Sequence, residues 1–211
     1  MPLNYVDLDL ESITTPDNIS QFIRSVDGLV QQHRVKAAAS YHGFVPSDYE
    51  VIYRCLRTVY DSPLLAGKRF CEWGSGISIV AALAAMIGYE SHGIEYDPDL
   101  CRVAADLCAD FAIPVELVHG SFIPAGVDDL VDEAYIQHDG ELALHTDSDN
   151  AYEELGRAVD EFDLIFVYPW PNDVELTHQI FDRCAGHDAL MLVYYSCESV
   201  GLYRKSPLVQ A

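Results

Sequence analysis

The stretch from Arg69 to Glu95, which reads RFCEWGSGISIVAALAAMIGYESHGIE, constrains the fold more than any other part of the sequence. It begins with a short, mostly apolar segment and continues through the turn from Gly74 to Gly76. Ile77 to Ile87 is a continuous apolar run that is long enough for a buried helix, and Gly88 ends it. Ser91 to Glu95 then forms a second buried strand. The order of strand, glycine turn, helix and strand predicts a nucleotide-binding βαβ unit.

The residues around the turn indicate what kind of ligand such a unit binds. A glycine has no Cβ, so the backbone at Gly74 and Gly76 can turn sharply and let a ligand approach the main chain. Glu95 ends the second strand 19 positions after Gly76, where an acid can accept hydrogen bonds from ribose hydroxyls. Glu72 would repel a pyrophosphate and attract an ammonium group. Ser78 stands where a nicotinamide-binding fingerprint has its third glycine, so the pattern favours a ligand with an amino-acid moiety over a dinucleotide.

This pattern, Glu72-x-Gly74-x-Gly76 followed by Glu95, resembles that of class I S-adenosylmethionine-dependent methyltransferases. The resemblance implies a doubly wound, mostly parallel α/β sheet in which the turn holds the methionine part of the cofactor and Glu95 holds its ribose. Ser78 departs from the family, in which glycine is common at that position. The resemblance implies these cofactor residues: Glu72, Trp73, Gly74, Ser75, Gly76, Ser78, Glu95, Tyr96, Ser121, Phe122 and Tyr168.

A third strand is predicted from Val115 to His119, and Gly120, Ser121 and Phe122 follow it. In the methyltransferases that this chain resembles, an acid or a small polar residue at this place bonds the adenine amino group. Ser121 occupies the place, and its hydroxyl accepts a hydrogen bond more weakly than a carboxylate does. Phe122 either stacks on the base or belongs to the core.

The fourth buried strand, Glu161 to Val167, ends in the sequence YPWP at residues 168–171. In open α/β sheets, ligands bind beyond the carboxyl ends of the strands, near the switch in strand order. The turn is similar to the fourth motif of amino-group methyltransferases but lacks the Asp or Asn that opens it, so the resemblance does not specify an amine. Tyr168 and Trp170 can make cation–π contacts with an ammonium or a sulfonium, or they simply belong to a rigid turn. The predicted substrate-side residues are Tyr168, Pro169, Trp170 and Asp173.

A general base is not obvious in this sequence. If the reaction needs one, Tyr168, Asp173 and His42 are the candidates, in that order. Positioning of the acceptor beside the methyl group can by itself account for several kcal/mol of the barrier, so the absence of an obvious base does not argue against methyl transfer.

A first helix is predicted to begin at Thr15 and Pro16, which combine a capping residue with a proline at the first helical position. Its apolar residues recur at helical spacing from Ile19 to Val30, so one face packs on the core or covers the cofactor. It ends in a basic cluster that we interpret as a solvated face, formed by His33, Arg34 and Lys36.

A second helix is predicted from Ser47, which forms a capping box with Glu50, to about Tyr60. The turn before it reads FVPSD at residues 44–48. It is similar to a turn that closes over the cofactor in seven-strand protein-lysine methyltransferases. The alternative is that the aromatic residues of this loop are merely packing residues.

The acidic segment from Pro124 to Asp149 has no strong period, so it is either an insertion or an irregular strand pair. Its His and Asp residues have no regular ligand spacing, and we predict no metal site. The other elements follow from caps and apolar runs. They are helices over 97–111, 150–159 and 174–184, and a fifth strand over 188–195. Few residues follow, so we expect a shortened sheet edge with a small hairpin around Val200 to Val209.

The length of 211 residues fits one domain, 1–211, with N-terminal helices over 1–60 and a Rossmann-like core over 61–211. The 34 acidic residues outnumber the 12 Lys and Arg residues and give a formal net charge of −22, which opposes binding to a phosphate backbone. We therefore expect no nucleic-acid partner. The charge either serves solubility or a saline habitat, or it attracts a cationic substrate. Six cysteines without a CxxC pair, together with no secretory leader and no membrane-spanning run, predict a reduced, cytoplasmic protein without a membrane partner.

The sequence therefore predicts a methyltransferase that uses S-adenosylmethionine and acts on an unidentified acceptor, for which the resemblance suggests an amine or a protein lysine. A module that binds S-adenosylmethionine without turnover is an alternative, because position 168 lacks the Asp or Asn of the fourth motif and the C-terminal part of the fold is short. A nicotinamide-dependent oxidoreductase is a third alternative, and Glu72 disfavours it.

Overall fold

The computed structural model describes residues 3–10, 13–37, 45–138, 141–142, 144, 151–195 and 199–206, with the backbone alone over 34–37. Seven strands lie within these ranges: β1 Asn4–Val6, β2 Arg69–Trp73, β3 Glu90–Glu95, β4 Val115–His119, β5 Leu164–Val167, β6 Leu190–Tyr194 and β7 Val200–Arg204. The α-helices are α1 Asp17–Ala37, α2 Tyr49–Asp61, α3 Ile79–Ile87, α4 Pro98–Asp110, α5 Asp128–Gln137, α6 Ala151–Glu154 and α7 Val174–Cys184.

All seven strands belong to one sheet, in the order β1-β7-β6-β5-β2-β3-β4. The five strands from β6 to β4 are parallel, and β7 is antiparallel to both of its neighbours. From the middle of the sheet, β2, β3 and β4 follow one another towards one edge in the order of the sequence. On the other side of β2, the strands β5, β6 and β7 follow one another towards the opposite edge. The predicted fold class, a doubly wound and mostly parallel α/β sheet, is confirmed.

Helices cover both faces of the sheet because alternate strand residues point to opposite sides. Phe70, Leu164 and Phe166 belong to the core under α1, α2 and α3. Their neighbours Cys71, Ile165 and Val167 belong to a second core under α5, α6 and α7. The central strands β2, β5 and β6 are therefore buried on both faces, as expected for parallel strands inside a sheet.

The outer strand β1 comes from the N-terminal part of the chain, for which the sequence predicted no strand. It pairs antiparallel with β7, with Tyr5 opposite Tyr203. The rings of these two tyrosines meet edge to face at 5.9 Å. The C-terminal part supplies β7, which lies within the region predicted to contain a hairpin and pairs antiparallel with β6. The outermost position of the sheet is thus filled from the opposite end of the sequence.

The acidic segment after β4 forms a helix, α5, so the interpretation as an irregular strand pair was wrong. Leu130, Val131 and Ala134 of α5 are buried and belong to the core on the α7 side of the sheet. Arg183 of α7 donates two hydrogen bonds to Asp129 of α5, at 2.5 and 2.9 Å. Tertiary packing against α7 therefore supports a helix whose own period is weak.

The helix predicted up to Val159 is much shorter, because α6 ends at Glu154. Gly156 adopts a left-handed conformation with φ of 61°, and the amide of Arg157 bonds back to the carbonyl of Tyr152. This is the usual way in which a glycine ends a helix. Residue 150, at which the predicted helix begins, lies outside the described residues.

Two predictions about the N-terminal helices were wrong in detail. The N-cap of α2 is Asp48 and not Ser47, since the Asp48 carboxylate accepts hydrogen bonds from the amides of Glu50 and Val51 at 3.0 Å. His33 is buried rather than solvated, because α1 packs closely on the core. The side chains of Arg34 and Lys36 lie outside the described part. Across the described residues, no helix is long and apolar enough to cross a bilayer.

Candidate cofactor and acceptor site

The outward order of the strands switches between β2 and β5, which are neighbours in the sheet and pair Trp73 with Val167. A cavity of about 990 Å³ lies beyond the carboxyl ends of these strands. Ligands of open α/β sheets bind at this place. The volume lies at the upper end of the range for small-molecule and cofactor sites, so this cavity is the candidate functional site.

The predicted cofactor residues come together around this cavity, with one exception. Ser78 is fully buried outside the lining, and its hydroxyl donates a 2.8 Å hydrogen bond to the hydroxyl of Ser75. It therefore supports the turn from behind. The residues that do line the cavity are Glu72, Trp73, Gly74, Ser75, Gly76, Glu95, Tyr96, Ser121, Phe122 and Tyr168.

The glycine turn has the backbone conformation that its sequence requires. Gly74 and Gly76 have φ angles of 66° and 56°, in the left-handed region that favours glycine. The amide of Ser75 donates to the carbonyl of Ile94 at 2.9 Å, and the amide of Gly76 donates to the Glu95 carboxylate at 2.6 Å. The turn after β2 is thus fastened to the end of β3.

Glu95 is held in place by backbone amides on both of its oxygens. Oε2 accepts from Gly76, and Oε1 accepts from Asp97 at 2.8 Å. Each carboxylate oxygen has two lone pairs, so both can still accept from a ligand hydroxyl. Burial raises the pKa of Glu95, and the two backbone bonds partly offset this rise. Glu95 is therefore a fixed acceptor facing the cavity.

Glu72 lies one residue before the end of β2 and is only 5% exposed. Its Oε2 accepts a 2.8 Å hydrogen bond from the amide of Ala81 in the first turn of α3. Burial raises the pKa of Glu72 well above its ordinary value, the bond from Ala81 lowers it, and the charge of Glu95 raises it further. A cation bound in the cavity would relieve the repulsion between these two carboxylates.

Trp73 and Phe122 form a stacked pair, with ring centroids 5.0 Å apart and planes 9° from parallel. Trp73 is 1% exposed and Phe122 9%, so Phe122 belongs to the core, one of the two sequence interpretations, and it also lines the cavity. Its stacking on the base stays a prediction. Ser121 is buried beside Phe122, and its Oγ accepts from the amide of Ile123 at 3.2 Å. This side of the cavity is flat, aromatic and nearly free of charge.

The turn after β5 presents Tyr168, Pro169 and Trp170 to the cavity. Tyr168 packs edge to face on Tyr194 at 4.9 Å, and Trp170 is 40% exposed at the mouth. Asp173 is fully buried and does not line the cavity. It precedes α7 as predicted, but its side chain makes no capping hydrogen bond there.

Residues just before α2 and at its start also reach the cavity. Val45, Ser47 and Tyr49 line it, so the segment that includes the end of the FVPSD turn lies beside the candidate cofactor site. The amide of Asp48 donates a 3.2 Å hydrogen bond to the hydroxyl of Tyr194, which ties this segment to the end of β6. His42, the third candidate base, lies outside the described residues.

Tyr195 lines the cavity as well and was not among the predicted site residues. It directly follows β6, a buried parallel strand, and this position at a strand end is the signal that could have identified it. His178 of α7 lies behind it, with Nε2 3.2 Å from the Tyr195 hydroxyl. No sequence pattern points to His178, because only the packing of α7 brings it there.

The cavity lining is acidic. Glu72, Glu95 and Asp97 line it, whereas no Lys, Arg or His is found among its described lining residues. A pyrophosphate in this place would lack a cationic partner and would face three acids. Over the described parts of the chain, no group of three or more His, Cys, Asp or Glu residues is placed to hold a metal ion.

Comparisons with known proteins support this description of the fold. No protein-family profile and no curated protein sequence matches the chain. A solved structure of an RNA methyltransferase from Salinibacter ruber with S-adenosyl-L-homocysteine is similar, with a TM-score of 0.51 and 17% identity over 76% of this chain and 92% of that one. A mutant of MtNAS with S-adenosylmethionine has a TM-score of 0.50 and 12% identity over 89% of this chain and 76% of that one. The chain therefore has the Rossmann-like fold of class I S-adenosylmethionine-dependent methyltransferases.

One of these two similar structures is of an RNA methyltransferase. The fold is thus compatible with a nucleic-acid acceptor, and our expectation of no nucleic-acid partner rests on charge alone. The formal net charge of −22 and the acidic cavity are the observations that bear on it.

Proposed function

We propose that this chain is a methyltransferase that uses S-adenosylmethionine and acts on a neutral or cationic acceptor, such as an amine. The observation that carries the proposal is the pair Glu72 and Glu95 in a cavity at the switch point of the sheet. Glu95 is fixed by two backbone amides, and no basic side chain accompanies the pair among the described lining residues. These two carboxylates, which accept hydrogen bonds and attract cations, suit a nucleoside that carries positive charge.

Each part of the cavity has a role in this proposal. Glu95 accepts hydrogen bonds from the ribose hydroxyls, and Glu72 attracts the ammonium group of the methionine moiety. The flat surface of Trp73 and Phe122, beside Ser121, receives the adenine. S-adenosylmethionine supplies a methyl group that is already activated on a sulfonium. The residues of the chain then bind, orient and exclude water, which can lower the barrier by several kcal/mol.

The acceptor side lies at the ends of β5 and β6. Tyr168, Trp170 and Tyr195 supply aromatic surface, and the ring faces of tyrosine and tryptophan attract ammonium groups. The net charge of −22 adds a long-range attraction for cations and repels polyanions. An amine acceptor, including a lysine side chain, is therefore favoured over a nucleic acid.

Calorimetry with S-adenosyl-L-homocysteine tests the cofactor assignment. We expect the wild type to bind, and Glu95→Ala to bind at least about tenfold more weakly, because hydrogen bonds to a charged group contribute about 1.5–3 kcal/mol. Glu154→Ala, an exposed acid of α6 outside the cavity lining, is the matched control and should bind like the wild type. No binding by the wild type, or equal binding by Glu95→Ala, would contradict the cofactor assignment.

Transfer of a tritiated methyl group tests turnover and the acceptor class. Amines, a lysine-rich peptide and an unmodified RNA are offered separately with tritiated S-adenosylmethionine. We expect label on an amine or the peptide, with a rate that falls as salt rises, since salt screens the attraction to an acidic protein. Label on the RNA alone would contradict the acceptor class. Binding of S-adenosyl-L-homocysteine without any transfer would favour a binding module instead.

A further inference from the structure

Three side chains from different elements form a hydrogen-bonded group at the acceptor side of the cavity. The hydroxyl of Tyr195 lies 3.2 Å from Nε2 of His178 on α7 and 2.9 Å from the hydroxyl of Tyr203 on β7. The imidazole of His178 and the ring of Tyr203 also pack edge to face, with centroids 4.7 Å apart. Tyr195 lines the cavity, whereas His178 and Tyr203 lie behind it.

The backbone places this group beside the expected acceptor. Tyr195 follows β6, and Val193 of β6 pairs with Val167 of β5, so Tyr195 is next to the turn that carries Pro169 and Trp170. The cofactor half of the cavity is formed by the ends of β2, β3 and β4 on the other side. Among the described residues at the end of β6, Tyr195 is the one whose hydroxyl-bearing side chain lines the cavity.

A glycine is required for the position of Tyr203. Gly201 lies two residues earlier on the same face of β7, and the ring of Tyr203 lies over it. A Cβ at Gly201 would be 2.7 Å from Cε2 of that ring and 2.9 Å from its hydroxyl. An aromatic ring that covers a strand glycine in this way is held against the sheet, with its hydroxyl directed to Tyr195.

We propose that His178, Tyr195 and Tyr203 form a proton relay that accepts the proton released by the methyl acceptor, with Tyr195 as the residue that contacts the acceptor. The inference rests on the proposed methyl transfer. In the neutral arrangement, Tyr203 donates to the Tyr195 oxygen and Tyr195 donates to Nε2 of His178.

The chemical step balances without another reactant. The acceptor first gives its proton to the Tyr195 oxygen as the Tyr195 proton passes to Nε2 of His178. The lone pair left on the acceptor then forms a bond to the methyl carbon while the carbon–sulfur bond breaks, and the electrons of that bond remain on sulfur. His178 becomes an imidazolium, and because it is half-buried it can release the proton to solvent.

The surroundings of His178 suit an acceptor of protons. Burial lowers the pKa of His178 below its ordinary value, so the imidazole is neutral at pH 7. Burial raises the pKa of Tyr195, so the phenol keeps its proton and passes a proton on without becoming charged itself. Among the described residues, the imidazole contacts Tyr195 and Tyr203, and its own helix carries Glu175 and Asp182 one turn away on either side.

The first test is the pH profile of methyl transfer from tritiated S-adenosylmethionine to the amine or lysine-rich peptide that the wild type labels. We expect Tyr195→Phe and His178→Gln to lower the rate at pH 7 about 10²-fold, a typical contribution of general acid–base catalysis. The deficit should shrink about tenfold per pH unit towards the acceptor's own pKa, because an acceptor that has already lost its proton needs no relay. A deficit that is constant with pH, or no deficit, overturns the proposal.

Matched controls separate the relay from general damage. Tyr135→Phe and His187→Gln remove the same groups at exposed positions outside the cavity lining and should leave the profile unchanged. Gly201→Ala displaces Tyr203 but keeps both the Tyr195 and the His178 side chains. It should therefore lower the rate of methyl transfer less than Tyr195→Phe or His178→Gln does. Binding of S-adenosyl-L-homocysteine should be equal in all these proteins. If the wild type does not bind it, the proposed function fails. If the wild type binds it but transfers nothing at any pH, the relay fails while cofactor binding stands.

The second test does not depend on turnover. Nitrogen-15 spectra of the histidines, with His178 assigned from His178→Gln, should show an unprotonated Nε2 and a pKa below the ordinary 6.5 in the complex with S-adenosyl-L-homocysteine. Tyr195→Phe should shift the Nε2 resonance, since it removes the hydrogen bond to that atom. A protonated Nε2 in the neutral ring, or an imidazolium at pH 7, would contradict the relay.

Discussion

The carboxylate of Glu95 accepts a 2.6 Å hydrogen bond from the backbone amide of Gly76, 19 positions earlier in the chain. The bond joins the glycine turn after β2 to the acid at the end of β3, the two features that identify the site in the sequence. A cofactor that contacts Glu95 therefore meets an acceptor whose position is already fixed, and less entropy is lost on binding.

Binding of the cofactor should release protons. Burial raises the pKa of both Glu72 and Glu95, and the charge of Glu95 raises the pKa of Glu72 further, whereas a cationic ligand favours the ionised forms. Affinity for S-adenosylmethionine should therefore rise with pH, by up to about tenfold per unit below the raised pKa values. Calorimetry at pH 6 in two buffers of different ionisation enthalpy measures the protons released. An enthalpy that is the same in both buffers would show that no carboxyl changes its protonation.

Glu72→Gln should stabilise the fold and weaken binding. The folded-state pKa of Glu72 lies above its unfolded value, so the folded state binds more protons and loses stability as pH rises through this interval. The amide oxygen of Gln can still accept from Ala81, while the buried charge is gone. We expect a gain of about 1 kcal/mol at pH 8, or about 2–4 °C in Tm, and a smaller gain at pH 5. Thermal unfolding at both pH values checks this, with Glu154→Gln as the exposed control.

Gly74→Ala should impair binding by more than its backbone strain explains. Gly74 and Gly156 have similar φ angles of 66° and 61°, so an alanine at either position should cost about 1–2 kcal/mol of stability. The added Cβ at Gly74 faces the cavity 4.0 Å from Phe122, whereas at Gly156 it meets nothing within 4 Å. We expect only Gly74→Ala to lower affinity for S-adenosyl-L-homocysteine, by about tenfold or more. Equal loss in both variants would mean that the turn is not a ligand cradle.

Trp73 should report cofactor binding by fluorescence. The chain has two tryptophans, and Trp73 is 1% exposed and stacked on Phe122, while Trp170 is 40% exposed at the mouth. In Trp170→Phe, all tryptophan emission comes from Trp73. Titration of this variant with S-adenosyl-L-homocysteine should change the emission and give the wild-type Kd. A silent titration, with binding confirmed by calorimetry, would place the ligand away from Phe122.

Removal of residues 1–6 should expose β7 as an edge strand. Three residue pairs link β1 to β7, and Tyr5 packs on Tyr203. We expect faster hydrogen exchange over Val200–Arg204 and a Tm lower by about 4 °C or more, while exchange over β2 and β3 stays unchanged. Tyr5→Phe, which keeps both the strand and the ring, is the control. Unchanged exchange in β7 would show that β1 contributes nothing to this edge.

The local sequence around the site was sufficient to predict most of its cofactor half. Left-handed conformations at Gly74 and Gly76 follow from the absence of a Cβ, and the acid at the end of β3 follows from the length of one βαβ unit. Ser78 was predicted as a cofactor residue from the resemblance alone, and the structure places it behind the turn, where its hydroxyl bonds to Ser75.

The other features depend on contacts between residues that are far apart in sequence. The helix α5 forms on the surface of α7, and β1 pairs with a strand from the other end of the sequence. Likewise, α7, β6 and β7 together bring His178, Tyr195 and Tyr203 within hydrogen-bonding distance. No periodicity or motif in the sequence predicts these contacts. The sequence alone determined the βαβ unit and its acids, because backbone sterics and local spacing act within a few residues. Only the tertiary structure decided which side chains complete the acceptor side, because sheet order and helix packing set those distances.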